Sequence, residues 1–137
     1  MKKLDTLIDD IHTSLEPLSR NEPLDISDEE IERTGENIKE ALRQWAKPSE
    51  RNASFTIRMS NLGRPFRQLW FEKRDNNKTA FDSSTLIRFL YGHILEEVVL
   101  MFARLSGHSV TDEQKEVTVD GIKGHIDCKI DGEIIDI

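Results

Sequence analysis

At 137 residues the chain is long enough for one ordinary domain with a real core and too short to expect two. No apolar run reaches the length of about eighteen residues that a spanning helix needs, and the opening MKKLDTLIDD carries acids where a signal peptide is apolar, so the expectation is a soluble, cytoplasmic protein with no membrane partner; the single cysteine, Cys128, fits a reducing compartment and core packing. The net charge of −7 is uneven: 7 basic against 13 acidic residues over 1–50, 9 against 5 over 51–104 and 3 against 8 over 105–137, which leaves a basic middle for a polyanion and an acidic end for a cation, or else an ordinary solvated surface.

Leu4, Leu7, Ile8, Ile11, Leu15 and Leu18 recur at helical spacing and predict an amphipathic helix over 3–18. After Asn21-Glu-Pro, the segment Ser27-Asp-Glu-Glu30 has the form of a capping box, opening a second helix to about Trp45 with Ile31, Ile38, Leu42 and Trp45 on its apolar side. Residues 51–60 are ambiguous. Ser60-Asn-Leu-Gly-Arg-Pro65 reads as a turn that caps a third helix over roughly 64–73, and 75–83 as a polar loop.

A long helix from about Ser84 ends at Ser106-Gly107, a good stop signal. It barely leaves a wet face. Ile87, Leu90, Ile94, Val98, Met101 and Leu105 make one apolar stripe, Phe89, Gly92, Val99, Leu100 and Ala103 a second, and only His93, Glu97 and Arg104 form a polar arc. Glu96 falls inside the second stripe, where an unpaired carboxylate is costly and must find a partner, a proton or a cation.

From His108 the period becomes two, with Asp120-Gly121 and Asp131-Gly132 as hairpin turns, giving three or four antiparallel strands. With Asp131 and Gly132 as loop residues the register is fixed: Ile130 faces Glu133, Lys129 faces Ile134, Cys128 faces Ile135, and Asp127 faces Asp136. Alternation puts Ile126, Cys128, Ile130, Ile135 and Ile137 on one side, joined by Val117, Val119 and Ile122. The other side carries His125, Asp127, Lys129 and Asp136, with Ile134 the one apolar residue. Two like charges with β-carbons about 5 Å apart are destabilising unless something positive lies between them. A solvated acidic face partly neutralised by Lys129 is one reading; if Glu96 packs beside the pair, a hard divalent cation such as Mg²⁺ is the other. His93 and His125 read as structural or exposed.

Gly92-His-Ile-Leu-Glu96, Ser106-Gly107-His, Gly124-His-Ile-Asp127 and Ile134-Ile-Asp136-Ile137 together resemble, in order and spacing over 60–137, the PD-(D/E)XK nuclease superfamily, most of all phage lambda-type exonucleases and RecB-type nuclease domains. The expected fold is α/β (α+β) in a single domain: a helical N-terminal region over 1–59, to which the resemblance does not extend, then a long buried helix and a small sheet of antiparallel hairpins, which the resemblance implies form part of a restriction-endonuclease-like core over 60–137. The resemblance implies Glu96 as the helix acid, Asp127 and Asp136 as catalytic, metal-binding acids, the Ile137 carbonyl as a further ligand, and Mg²⁺ or Mn²⁺ as cofactor. Two departures stand out. The signature lysine would be residue 138, so a truncated or shortened chain, weak or inactive by itself, is expected. Ser60 to Arg67 resembles the segment where some relatives begin an iron–sulfur cluster, yet holds no cysteine, so no cluster is expected. Arg58, Ser60, Arg64 and Arg67 are the candidate DNA phosphate contacts. The implied function is a Mg-dependent deoxyribonuclease, a phage-type exonuclease in DNA recombination or processing, located in the host cytoplasm if phage-encoded and working with a recombination or annealing protein; the alternative is a noncatalytic DNA- or protein-binding module on the same scaffold.

Overall fold

A computed structural model describes residues 2–47, 56–74 and 81–137; the readings made for 48–55 and 75–80 lie outside the described residues. The chain is α+β. A short 3₁₀ turn, Leu4–Thr6, leads into α1 (Leu7–Ser19), followed by α2 (Asp28–Trp45), a second 3₁₀ turn (Met59–Asn61), α3 (Phe66–Arg74) and α4 (Ser83–Leu105). Five short strands follow: β1 (Val110–Thr111), β2 (Lys115–Val119), β3 (Ile122–Ile126), β4 (Cys128–Ile130) and β5 (Glu133–Ile135). Among the described residues no helix is long and apolar enough to cross a membrane.

The helix starts follow their capping residues. Ser27 accepts a hydrogen bond from the Glu30 backbone N–H at 3.2 Å, and Asp82 accepts one from the Thr85 N–H at 2.8 Å. The capping box at Ser27 is only half made. The Glu30 carboxylate turns inward to Arg104 at 2.7 Å, because that guanidinium is nine-tenths buried and needs an anion more than the Ser27 N–H does.

The polar arc of α4 is covered at Glu97 and Arg104, and only His93 on it stays exposed. α2 packs along it: Asn37 donates to Glu97 at 2.8 Å, and Arg104 pairs with both Glu30 and Glu113. Burial along α4 is uneven. Leu100 and Ala103, near its C-terminal end, form the centre of the core with Cys128 and Ile130, whereas Ile87, Phe89, Tyr91 and Leu95 are exposed.

Both Asp-Gly turns form with left-handed Asp and Gly backbones. They set β2 against β3 with Val119 opposite Ile122, and β4 against β5 with Ile130 opposite Glu133 and Cys128 opposite Ile135, the expected registers. The chain nevertheless divides into two sheets at Asp127, one of order β1-β4-β5 and the other the β2-β3 ribbon. The shared apolar side therefore weakens with distance from the core: Cys128 and Ile130 are buried, but Val119 and Ile137 are exposed.

Candidate functional site

The β4–β5 register, carried one step further, opposes Asp127 and Asp136, which flank the paired strands. The hydrogen bond that a protonated Asp136 can make to Asp127, followed by the Asp127 charge, pushes the Asp136 carboxyl above its ordinary value. Asp127 is fixed at both ends: its side-chain Oδ2 accepts from the Ile137 backbone N–H at 3.0 Å, and its carbonyl accepts from the Gln114 N–H at 2.8 Å. Ile137, expected to offer a carbonyl, thus meets Asp127 through its N–H.

Glu96 leaves α4 toward Gln114, within reach of the Asp127 charge, and Glu97 toward Asn37 of α2. The Glu96 side chain is only 12 % exposed. Burial pushes its carboxyl above the ordinary value, the Gln114 side chain pulls partly back, and the Asp127 charge adds to the rise. Gln114 donates to Glu96 Oε1 at 2.6 Å, so one residue holds Glu96 by its side chain and Asp127 by its backbone. Sequence reading missed Gln114. Its backbone is left-handed (φ 50°), a conformation its side-chain type does not advertise.

Lys129 does not neutralise the pair as its shared strand face suggested. It reaches Asp112, at 2.8 Å, because β1 lies alongside β4 and ends beside Asp112. His93 lies 3.8 Å from Glu96, and His125 4.0 Å from Glu116; both are exposed. Cys128 is fully buried with its thiol pushed up to about 11, chiefly by burial, which suits packing and not nucleophilic chemistry.

Arg58, Ser60, Arg64 and Arg67 are all exposed, on the segment from the second 3₁₀ turn into α3. Arg64 pairs with Glu72 at 3.4 Å, and Arg67 lies over the Phe71 ring. The turn is seated on β3, where Arg58 bridges to Lys123 and Met59 covers Gly124. A Cβ on Gly124 would lie 2.6 Å from the Met59 sulfur, so the glycine of Gly124-His-Ile-Asp127 is required by this close approach.

The carboxylates of Asp127 and Asp136 offer oxygen alone, which suits a hard divalent cation, and two opposed carboxylates of which one is raised by the other offer a place where a cation can take the proton's role. Among the described residues no group of three or more His, Cys, Asp or Glu is arranged to hold a metal ion, so the geometry offers the aspartate pair, with Glu96 anchored beside it by Gln114.

Compared with family models, curated proteins and solved structures, the chain matches none.

Proposed function

We propose that the chain is the acidic core of a metal-dependent DNA nuclease of the PD-(D/E)XK type, a phage-type exonuclease acting in DNA recombination or processing on a restriction-endonuclease-like scaffold. The observation that carries the reading is the carboxylate pair: Asp127 and Asp136 oppose each other with a raised Asp136, and Glu96 is buried within reach of the Asp127 charge. Like charges this close favour a proton or a cation between them, and Asp127, Asp136 and Glu96 are the residues that would hold or border the ion. When bound, Mg²⁺ or Mn²⁺ polarises a phosphoryl oxygen and lowers the pKa of water.

The chain's own residues supply the rest. The Ile137 N–H and Gln114 fix where the Asp127 and Glu96 carboxylates stand. Arg58, Ser60, Arg64 and Arg67 present exposed donors on a segment seated against the strand that leads to Asp127, suited to orienting phosphates. DNA is the partner this charge pattern suits, together with a recombination or annealing protein.

The test is hydrolysis of linear DNA by the product of the full reading frame, with Mg²⁺ or Mn²⁺ and with chelator. Metal-dependent cleavage lost in Asp127→Asn and Asp136→Asn supports the reading; a folded protein that cleaves no DNA under any of these conditions replaces it with the noncatalytic binding module.

A further inference from the structure

The aromatic residues of α3 pack on one another and not into the core: Trp70 meets Phe71 edge-on, ring centres 5.0 Å apart. Phe66 is 81 % exposed, Phe71 51 % and Trp70 42 %, on a nine-residue helix whose partial burial is limited to Leu69 and Glu72. Burying such rings is the usual source of their stabilisation, so an exposed set needs an occupant.

The charge around them says which kind. Arg67 lies over Phe71 with its guanidinium carbon 5.8 Å from the ring centre, and Arg74 over Trp70 at 4.5 Å. Between Arg64 and Arg74 there are four cations, Lys73 among them, against one acid, Glu72, which Arg64 occupies. Arg67, Lys73 and Arg74 make no ion pair among the described residues. In a chain of net charge −7, three uncompensated cations set among three exposed rings are complementary to an anion that also has flat apolar faces. Single-stranded nucleic acid is that anion: its bases stack on aromatic rings and guanidinium planes, and its phosphates take the cations. A duplex hides its base faces and gains only the charge term.

The helix geometry fits a strand. Phe66 and Trp70 are one turn apart, about 6 Å along the axis, with Arg74 one turn further, while Arg67 and Phe71 form the neighbouring row. α3 follows, five residues on, the turn that is seated on β3, the strand running into Asp127.

We propose that the outer face of α3 is a stacking platform for single-stranded DNA, with Phe66, Trp70 and Phe71 receiving bases and Arg67 and Arg74 receiving phosphates. This deepens the nuclease reading and rests on it for the choice of DNA: the platform would hold the single strand beside the acids.

Binding of a labelled oligothymidylate to the 137-residue chain, followed by anisotropy in chelator so that no cleavage intervenes, tests it. Phe66→Leu with Phe71→Leu keeps the apolar bulk and removes the rings, and should weaken binding about tenfold or more. Arg67→Gln with Arg74→Gln should reduce the slope of log affinity against log salt by about 1.4. In a Trp45→Phe background the Trp70 emission should be quenched by the oligonucleotide. Unchanged circular dichroism shows that the variants fold. The proposal is overturned by ring variants that bind as tightly as the parent, by a duplex of the same length binding more tightly than the single strand, or by sedimentation showing that the rings are covered by a second copy. Tight single-strand binding in a protein that never cleaves DNA would overturn the nuclease reading and leave the platform standing; metal-dependent cleavage with indifferent ring variants does the reverse.

Discussion

Asp127 and Asp136 stand opposite each other at the open end of the β4–β5 hairpin, and the Ile137 N–H holds Asp127 while the Asp136 carboxyl is raised by its neighbour. Their repulsion has a thermodynamic sign. A carboxyl raised by folding contributes stability that is full below its unfolded value and lost as pH rises through the folded value. Asp136→Asn should therefore raise the melting temperature of the metal-free protein at pH 7 and leave it unchanged in acid, where the parent is already protonated. Thermal melts in chelator at the two pH values check this; a fall at pH 7 would show that the pair does not repel.

Gln114 joins Glu96 to the backbone at Asp127. Gln114→Ala should weaken divalent binding by about 10–100-fold, the usual effect of removing an outer-shell positioning group. The fold should survive, since Gln114 is exposed. Calorimetric titration of parent and variant with Mn²⁺ measures it, and equal affinities would remove Gln114 from the site.

Gly124→Ala should be destabilising by about 1–3 kcal/mol, the cost of forcing an extra carbon into a filled space. The obstacle is Met59, whose β- and γ-carbons would each lie 2.8 Å from the new Cβ. Pairing the change with Met59→Ala should recover most of the loss, as chemical denaturation of the two variants would reveal.

Arg104 depends on the carboxylates that reach it from α2 and from the segment before β2. Glu30→Ala leaves Glu113 in place, so the loss should lie near the lower end of the roughly 3–5 kcal/mol expected for breaking a buried ion pair. Urea unfolding gives the value; a neutral result would mean that Arg104 reaches solvent.

His108 is buried between Asp131, at 2.6 Å, and Asp10, at 3.1 Å, tying the β4–β5 turn to α1; Lys2 pairs with Asp10 and also donates to the Ser106 carbonyl. The Ser109 N–H first, then His108, hold the Asp131 carboxyl below its usual value. A depressed carboxyl contributes stability above its unfolded value and loses it as pH falls through the folded one. Asp131→Asn should thus flatten the acid limb of the stability curve, most of all below pH 4. A limb as steep as the parent's would place the acid sensitivity elsewhere.

Local signals carried much of this fold. Ser27 caps the helix it predicts, and the two Asp-Gly turns set both registers, because capping and two-residue turns are decided by neighbours in sequence. The helical phase likewise separated Glu96 from Glu97. What the sequence hid depends on distant partners: α2 covering the polar arc, Lys129 finding Asp112, and the division of the sheets at Asp127. Gln114 was hidden because its role rests on a left-handed backbone that tertiary contacts impose. The exposed rings of α3 escaped notice because periodicity says which residues are apolar and not whether anything covers them.

The central claim, that the aspartate pair is a divalent-cation site, is tested most directly by calorimetric titration of the 137-residue chain with Mn²⁺ alongside the Asp127→Asn, Asp136→Asn double variant. The account predicts saturable binding by the parent, with Mg²⁺ competing, and its loss in the double variant while circular dichroism stays unchanged. Identical isotherms for the two proteins would contradict it.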